Sequence, residues 1–319
     1  VERSRGLGDV YKRQIAGSVV PIQTSINSKL SLYTHSSFYA SAISFSTGTL
    51  WLIIVNLIMN PHVFSMASFR HYQIDYYWYV GGLMGVIFLT GNLLLLPKIG
   101  ASLTVVTTIA GQILMSVVID SFGWFNVDIK PLSILKAFGI LLLLIGIILM
   151  NIQKRSKVVR TTHQTPLWII VGILFGFAPP IQTAINSHLG QSVHSPYFAS
   201  LISFTVGSLA LILLTLIVHR KFSISTFHAS NGPLKWWHFI GGALGVIFVT
   251  TNIILTPHIG VTFTLITVML GQIIMGMIID HFGLLGVPPR RLSSQRLIGF
   301  VVIIIAIVLI PVSYTHLRA

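Results

Sequence analysis

The chain has no cysteine, and only 6 of its 319 residues are Asp or Glu. The first absence excludes disulfides, thiolate metal sites and thiol catalysis. The second, with charged residues at 8% of the chain, excludes an ordinary soluble domain, in which about a quarter of the residues are charged. What is present is apolar: 54% hydrophobic side chains and a mean hydropathy of +0.86. A bilayer span needs roughly 20 such residues. The sequence offers runs at 15–33, 37–60, 76–96, 101–123 and 132–152, then at 166–188, 196–219, 235–256, 261–282 and 293–312. These ten runs leave no length for a soluble domain, so the lipid bilayer is the first partner. A net charge of +14 would raise nucleic-acid binding in a soluble protein. Here it follows from membrane orientation, and no nucleic-acid partner is expected.

The chain is written twice. Pro21-Ile-Gln-Thr-x-Ile-Asn-Ser28 returns as Pro180 to Ser187, and Ile43-Ser-Phe-x-x-Gly48 as Ile202 to Gly207, both 159 residues later. Gly81-Gly-x-x-Gly-Val-Ile-Phe88 returns 160 later as Gly241 to Phe248, as do Asn92, Pro97, Gly111-Gln112, Ile119-Asp120-x-Phe-Gly123 and Gly139. Polar residues, glycines and prolines carry the match, so apolar composition does not explain it. Five spans is an odd number, and the second copy therefore enters the membrane reversed. The expected fold is all-α and integral to the membrane: ten transmembrane helices in two inverted five-helix repeats, 15–152 and 166–311, joined by a basic linker at 153–165.

Residues 1–14 resemble translated adapter or vector sequence, and the tail 312–319 is similar in kind. In the repeat alignment, Lys12 and Arg13 fall opposite Val171 and Gly172. Two such charges inside a span would cost about 5–7 kcal/mol, so 1–14 reads as replacing the native start.

Lys and Arg gather on the cytoplasmic side. The loops after runs 1, 3, 5, 7 and 9 hold twelve: Lys29, Lys98, Lys154, Arg155, Lys157, Arg160, Arg220, Lys221, Lys235, Arg290, Arg291 and Arg296. The other loops hold three, Arg70, Lys130 and Lys136. Both chain ends are thus expected outside and the Lys154–Arg160 linker in the cytoplasm.

Ten spans as five plus five, with Pro-x-Gln-x-x-x-Asn in the first helix of each half, Ser-Phe-x-x-Gly in the second, Gly-Gly-x-x-Gly in the third, and Gly-Gln then Ile-Asp-x-Phe-Gly in the fourth, resemble the drug/metabolite transporter superfamily. Within it the pattern is most similar to the YdcZ-like group of inner-membrane exporters, here as two fused units. The resemblance spans Gly17 to Ile310 and implies a carrier of small metabolites in the bacterial inner membrane. Small multidrug exporters of the superfamily carry a Glu in the first helix for proton coupling. Gln23 and Gln182 stand here instead, which speaks against proton antiport of cationic drugs.

The polar residues within the runs mark a candidate site independently. Gln23 and Asn27 share a helix face, as do Gln182 and Asn186, below prolines that bend the helix. Gln112 and Gln272 sit mid-span. A buried amide without partners is costly, so these six face one another, water or a ligand. One reading is a midplane pocket for a polar small molecule, with Ser44, Ser203, Thr107 and Thr267 as further donors. The other is hydrogen bonding between helices, the favoured reading for Asn27 and Asn186. Asp120 and Asp280 are candidates for proton or ion coupling; the competing reading pairs them with Lys136 and Arg296, each sixteen residues on. The glycine pairs Gly81/Gly85 and Gly241/Gly245 have the spacing of close helix packing, and Trp78, Tyr79, Trp236 and Trp237 read as interfacial anchors.

No metal or cofactor is expected, and the chain shows none of the constellations of an intramembrane enzyme. A transporter by alternating access is favoured, with a channel or a non-transporting membrane scaffold as the alternative. The sequence leaves substrate and oligomeric state open.

Overall fold

The computed structural model describes residues 2–65, 76–151, 165–220, 222–229, 231–286 and 292–315. Side chains before residue 15 and after 310, that of Asp280, and the 152–164 linker lie outside the described part, and with them the readings of both ends and of Asp280. Among the described residues the architecture is all-α apart from one short hairpin, β1 (Phe227–His228) with β2 (Gly232–Pro233).

The first half runs α1 (Glu2–Thr34), α2 (Ser37–Met59), α3 (Val80–Asn92), α4 (Thr104–Phe122) and α5 (Ile134–Asn151). The second runs α6 (Thr165–Gly176 and Ala178–Ser192), α7 (Pro196–Val218), α8 (Gly241–Ile259), α9 (Val261–Phe282) and α10 (Ser294–Thr315). Among the described residues ten helices therefore stand at the places of the ten runs, six of them long and apolar enough to cross a membrane. The runs opening at 76 and 235 begin instead with single 3-10 turns, Tyr76–Tyr79 and Trp236–Phe239. Trp78, expected as an interfacial anchor, is turned inward and buried against His188, whereas Trp236 is exposed.

Local sequence explains where the helices start and stop. Ser36 and Ser195 accept the N–H of Tyr39 and Phe198, capping α2 and α7. Gly123 and Gly283 end α4 and α9 at φ 66° and 61°, the left-handed geometry that glycine adopts freely; that is the reason for the glycine in Ile-Asp-x-Phe-Gly. α6 is interrupted at Phe177 because Pro179 and Pro180 have no N–H to offer the preceding turn.

Helical backbone is continuous from Val80 to Phe122, yet this stretch is two spans. A Cβ on Gly91 would collide with Phe175, and one on Gly111 with Ile173 O, with Gly176 Cα 3.0 Å away. On a straight helix twenty residues would separate the two glycines by about 30 Å; here both meet the same part of α6, so the chain folds back between α3 and α4.

The inversion is visible in packing. Along α5, Gly139 meets Ile310 and Ala306 of α10, whereas Gly146 meets Ile303 and Gly299. Rising numbers in one helix meet falling numbers in its repeat mate, so mates lie antiparallel. The contacts between halves come in matching pairs, α4 on α6 with α9 on α1, α3 on α6 with α8 on α1, and α2 on α8 with α7 on α3. Lipid is as apolar as leucine, so these contacts depend on close approach more than on burial. Small residues permit it: Gly17 abuts Val268 and Gly271, as Gly111 abuts Ile173 and Gly176.

Candidate functional site

The Pro-x-Gln-x-x-x-Asn motif of each half meets the Gly-Gly-x-x-Gly motif of the other. Gln182 and Asn186 lie one turn apart in α6 and face α3. A side chain at Gly81 would collide with Asn186 Oδ1, and one at Gly85 would come within 3.1 Å of Gln182 Nε2. In the mate contact, Gly241 of α8 receives Asn27 of α1, and a Cβ at Gly245 would lie 2.7 Å from Gln23 Nε2. The glycines read as packing residues are thus seats for amides from the opposite half.

Ser-Phe-x-x-Gly completes each seat. Ser203 Oγ accepts from Asn186 Nδ2 at 3.0 Å and from Gln182 Nε2 at 3.5 Å. Its mate Ser44 is also buried, but among the described residues Ser44 Oγ has no hydrogen-bond partner, nor do Oδ1 of Asn27 and of Asn186. A buried unsatisfied polar atom costs about 1–3 kcal/mol, and Cα–H contacts from the glycines recover only part of that. Between the two seats, Phe45 of α2 and Phe204 of α7 stand with ring centroids 5.1 Å apart. Phe204 reaches within 3.2 Å of the Cβ position of Gly245, beside Gln23. Neither the phenylalanines nor the glycine seats were expected as site residues. Their repetition at fixed offset was the available signal.

The other expected residues are arranged differently. Gln112 and Gln272 are half-buried and follow the glycines that bring α4 against α6 and α9 against α1. Among the described residues they share no hydrogen bond with the Gln23 and Gln182 seats. Thr107 and Thr267 are buried and donate to carbonyls of their own helices, Thr104 O for the first, Phe263 O and Thr264 O for the second.

Asp120 is fully buried at the end of α4. Lys136 Nζ lies 3.9 Å from its Oδ2, so the matched spacing does bring this pair together. The stronger partners come from the other half: Val261 N–H donates to Oδ1 at 2.8 Å and Thr262 N–H to Oδ2 at 2.9 Å. These are the first amides of α9, which starts after Gly260 turns the chain at φ 82°. A carboxylate there meets the positive end of the helix dipole. Lys130 approaches the same corner, donating from Nζ to His258 O at 3.3 Å while its own N–H donates to Asp120 O at 2.7 Å. Burial pushes the Lys130 amine below its usual range, against the pull of Asp120 and Asp128. Lys130 was also missed, although Arg290 stands 160 residues on as its basic repeat mate.

A protein-family profile described as "Putative inner membrane exporter, YdcZ" matches this chain twice, at residues 13–149 and 167–309. The chain belongs to the YdcZ family. It carries two family units in tandem, each a five-helix half, and is an inner-membrane protein of transporter type. A curated relative, the Inner membrane protein YdcZ of Escherichia coli strain K12, is 28% identical over 120 residues, which is 38% of this chain and 78% of that protein. A crystal structure of another protein superposes over 99% of both chains with a TM-score of 0.69 at 14% identity, which establishes the shared fold alone.

Proposed function

We propose that this chain is a secondary carrier that exports a small polar or amphipathic metabolite across the bacterial inner membrane by alternating access. Both chain ends lie outside and the Lys154–Arg160 linker in the cytoplasm. The observation that carries the reading is the amide seat formed twice between oppositely oriented halves, with Gln23 and Gln182 only half-buried. A half-exposed amide in a span faces hydrocarbon or a hydrated space between helices, and only the second satisfies it. Two such sites exchanged by an inverted repeat supply inward and outward access to one substrate. Gln23 and Gln182, with Ser44 and Ser203, are assigned to substrate; Gln112 and Gln272 extend the lining.

The test is a comparison of external and internal metabolites in cells expressing the chain or its Gln23→Ala, Gln182→Ala double variant at equal membrane abundance. A compound should accumulate outside at least tenfold more with the intact pair. No difference across the metabolome, with the protein inserted, overturns export through this site.

A further inference from the structure

Two charged residues at the α4 end of the first half, Asp120 and Lys130, act on one corner of the second half. Lys130 places a cation at the carbonyl end of α8, by its bond to His258 O, and Asp120 places an anion on the first two amides of α9. A helix end presents negative carbonyls and a helix start presents positive amides. Each side of the α8–α9 corner is therefore met by the opposite charge, and both charges come from the other repeat. Lys136 balances the buried carboxylate. The corner is closely fitted as well, since a Cβ on Gly260 would come within 3.0 Å of both Asp120 Oδ2 and Lys130 Cδ. Thr262 and Thr264, in the first turn of α9, are fully buried.

We infer that Asp120, Lys130 and Lys136 form a lock between the halves at one membrane face, which releases the α8–α9 corner when the carrier opens to that face. The inference rests on the alternating-access reading above. Asp120 is then a positioning residue, occupied by helix amides, and carries neither proton nor substrate. The residue types recur in order as Asp280, Arg290 and Arg296, as a lock shared by two inverted halves requires.

A chain without cysteine allows a test that needs no substrate. Thr264→Cys reports on the α9 start. Ser41→Cys, buried in the first turns of α2, reports on the opposite face. Labelling by a membrane-impermeant maleimide is measured in right-side-out and inverted vesicles, with and without Asp120→Asn, and again with Lys130→Gln as a milder release. Release of the lock should raise the labelling rate at Thr264→Cys at least tenfold and lower that at Ser41→Cys by at least threefold. A rise at Thr264→Cys alone means a local helix cap and overturns the inference, as does a rise at both positions, which marks general loosening. Unchanged rates in both variants overturn it too. A reciprocal shift without any exported compound in the metabolite comparison would leave the lock standing and the export reading refuted.

Discussion

Alanine at Gly111 or Gly176 sharply lowers the unfolding temperature of the purified protein, whereas alanine at Gly276 leaves it unchanged or raises it. At the α4–α6 contact the two backbones touch: a methyl on Gly111 would collide with Ile173 O, and one on Gly176 with Thr108 O, each 3.0 Å from the facing glycine Cα. Carbonyl oxygens in a helix cannot swing aside as a side chain can, so relief requires the helices to part. An inserted methyl in a packed interior costs about 1–3 kcal/mol, occasionally more, and this geometry belongs at the upper end. Among the described residues Gly276 has no atom within 4 Å of its Cβ position. There alanine only improves helix propensity, by up to about 1 kcal/mol. Thermal unfolding in one detergent ranks the three; equal shifts at Gly111 and Gly276 would contradict the contact between α4 and α6.

Asp120→Ala should cost about 3–5 kcal/mol, the range for removing one partner of a buried ion pair. It leaves Lys136 in a buried position and strips the acceptor from Val261 N–H and Thr262 N–H. Lys136→Met should cost less, because the two amides remain to hold the carboxylate. Together the changes should cost less than their sum by about 0.5–3 kcal/mol, the usual range of coupling between contacting residues. Equilibrium unfolding of the wild type, the two single variants and the double variant measures this. Strict additivity would separate Asp120 from Lys136 and refute the described corner.

The inverted fold was legible in the sequence because its repeat is carried by residues with little reason to recur by composition, such as Gln23 with Gln182 and Asp120 with Asp280. An odd number of runs then required the reversal. The seats were half legible. Glycine spacing announces close approach but not what approaches, and the motif of Gly81 and Gly85 reads the same whether it receives another helix or the amides of Asn186 and Gln182. The Asp120 site was legible in its side chains, since Lys136 recurs as Arg296. Its main partners are backbone amides 141 and 142 residues away, and a backbone donor leaves no mark in composition. Proline did mark α6, where Pro179 and Pro180 coincide with the break at Phe177. The fold-back between α3 and α4 shows only through the α6 residues that both spans touch.

Counterflow in proteoliposomes tests the central claim most directly. Vesicles holding the purified chain are loaded with the unlabelled compound that the metabolite comparison identifies and then diluted into a trace of its labelled form. A carrier that exposes one site alternately to each side should give a transient accumulation of label above equilibrium, and the Gln23→Ala, Gln182→Ala variant should give none. Label that enters only to equilibrium would identify a channel, and label that does not enter at all would identify a membrane protein without transport of its own; either result would contradict the account.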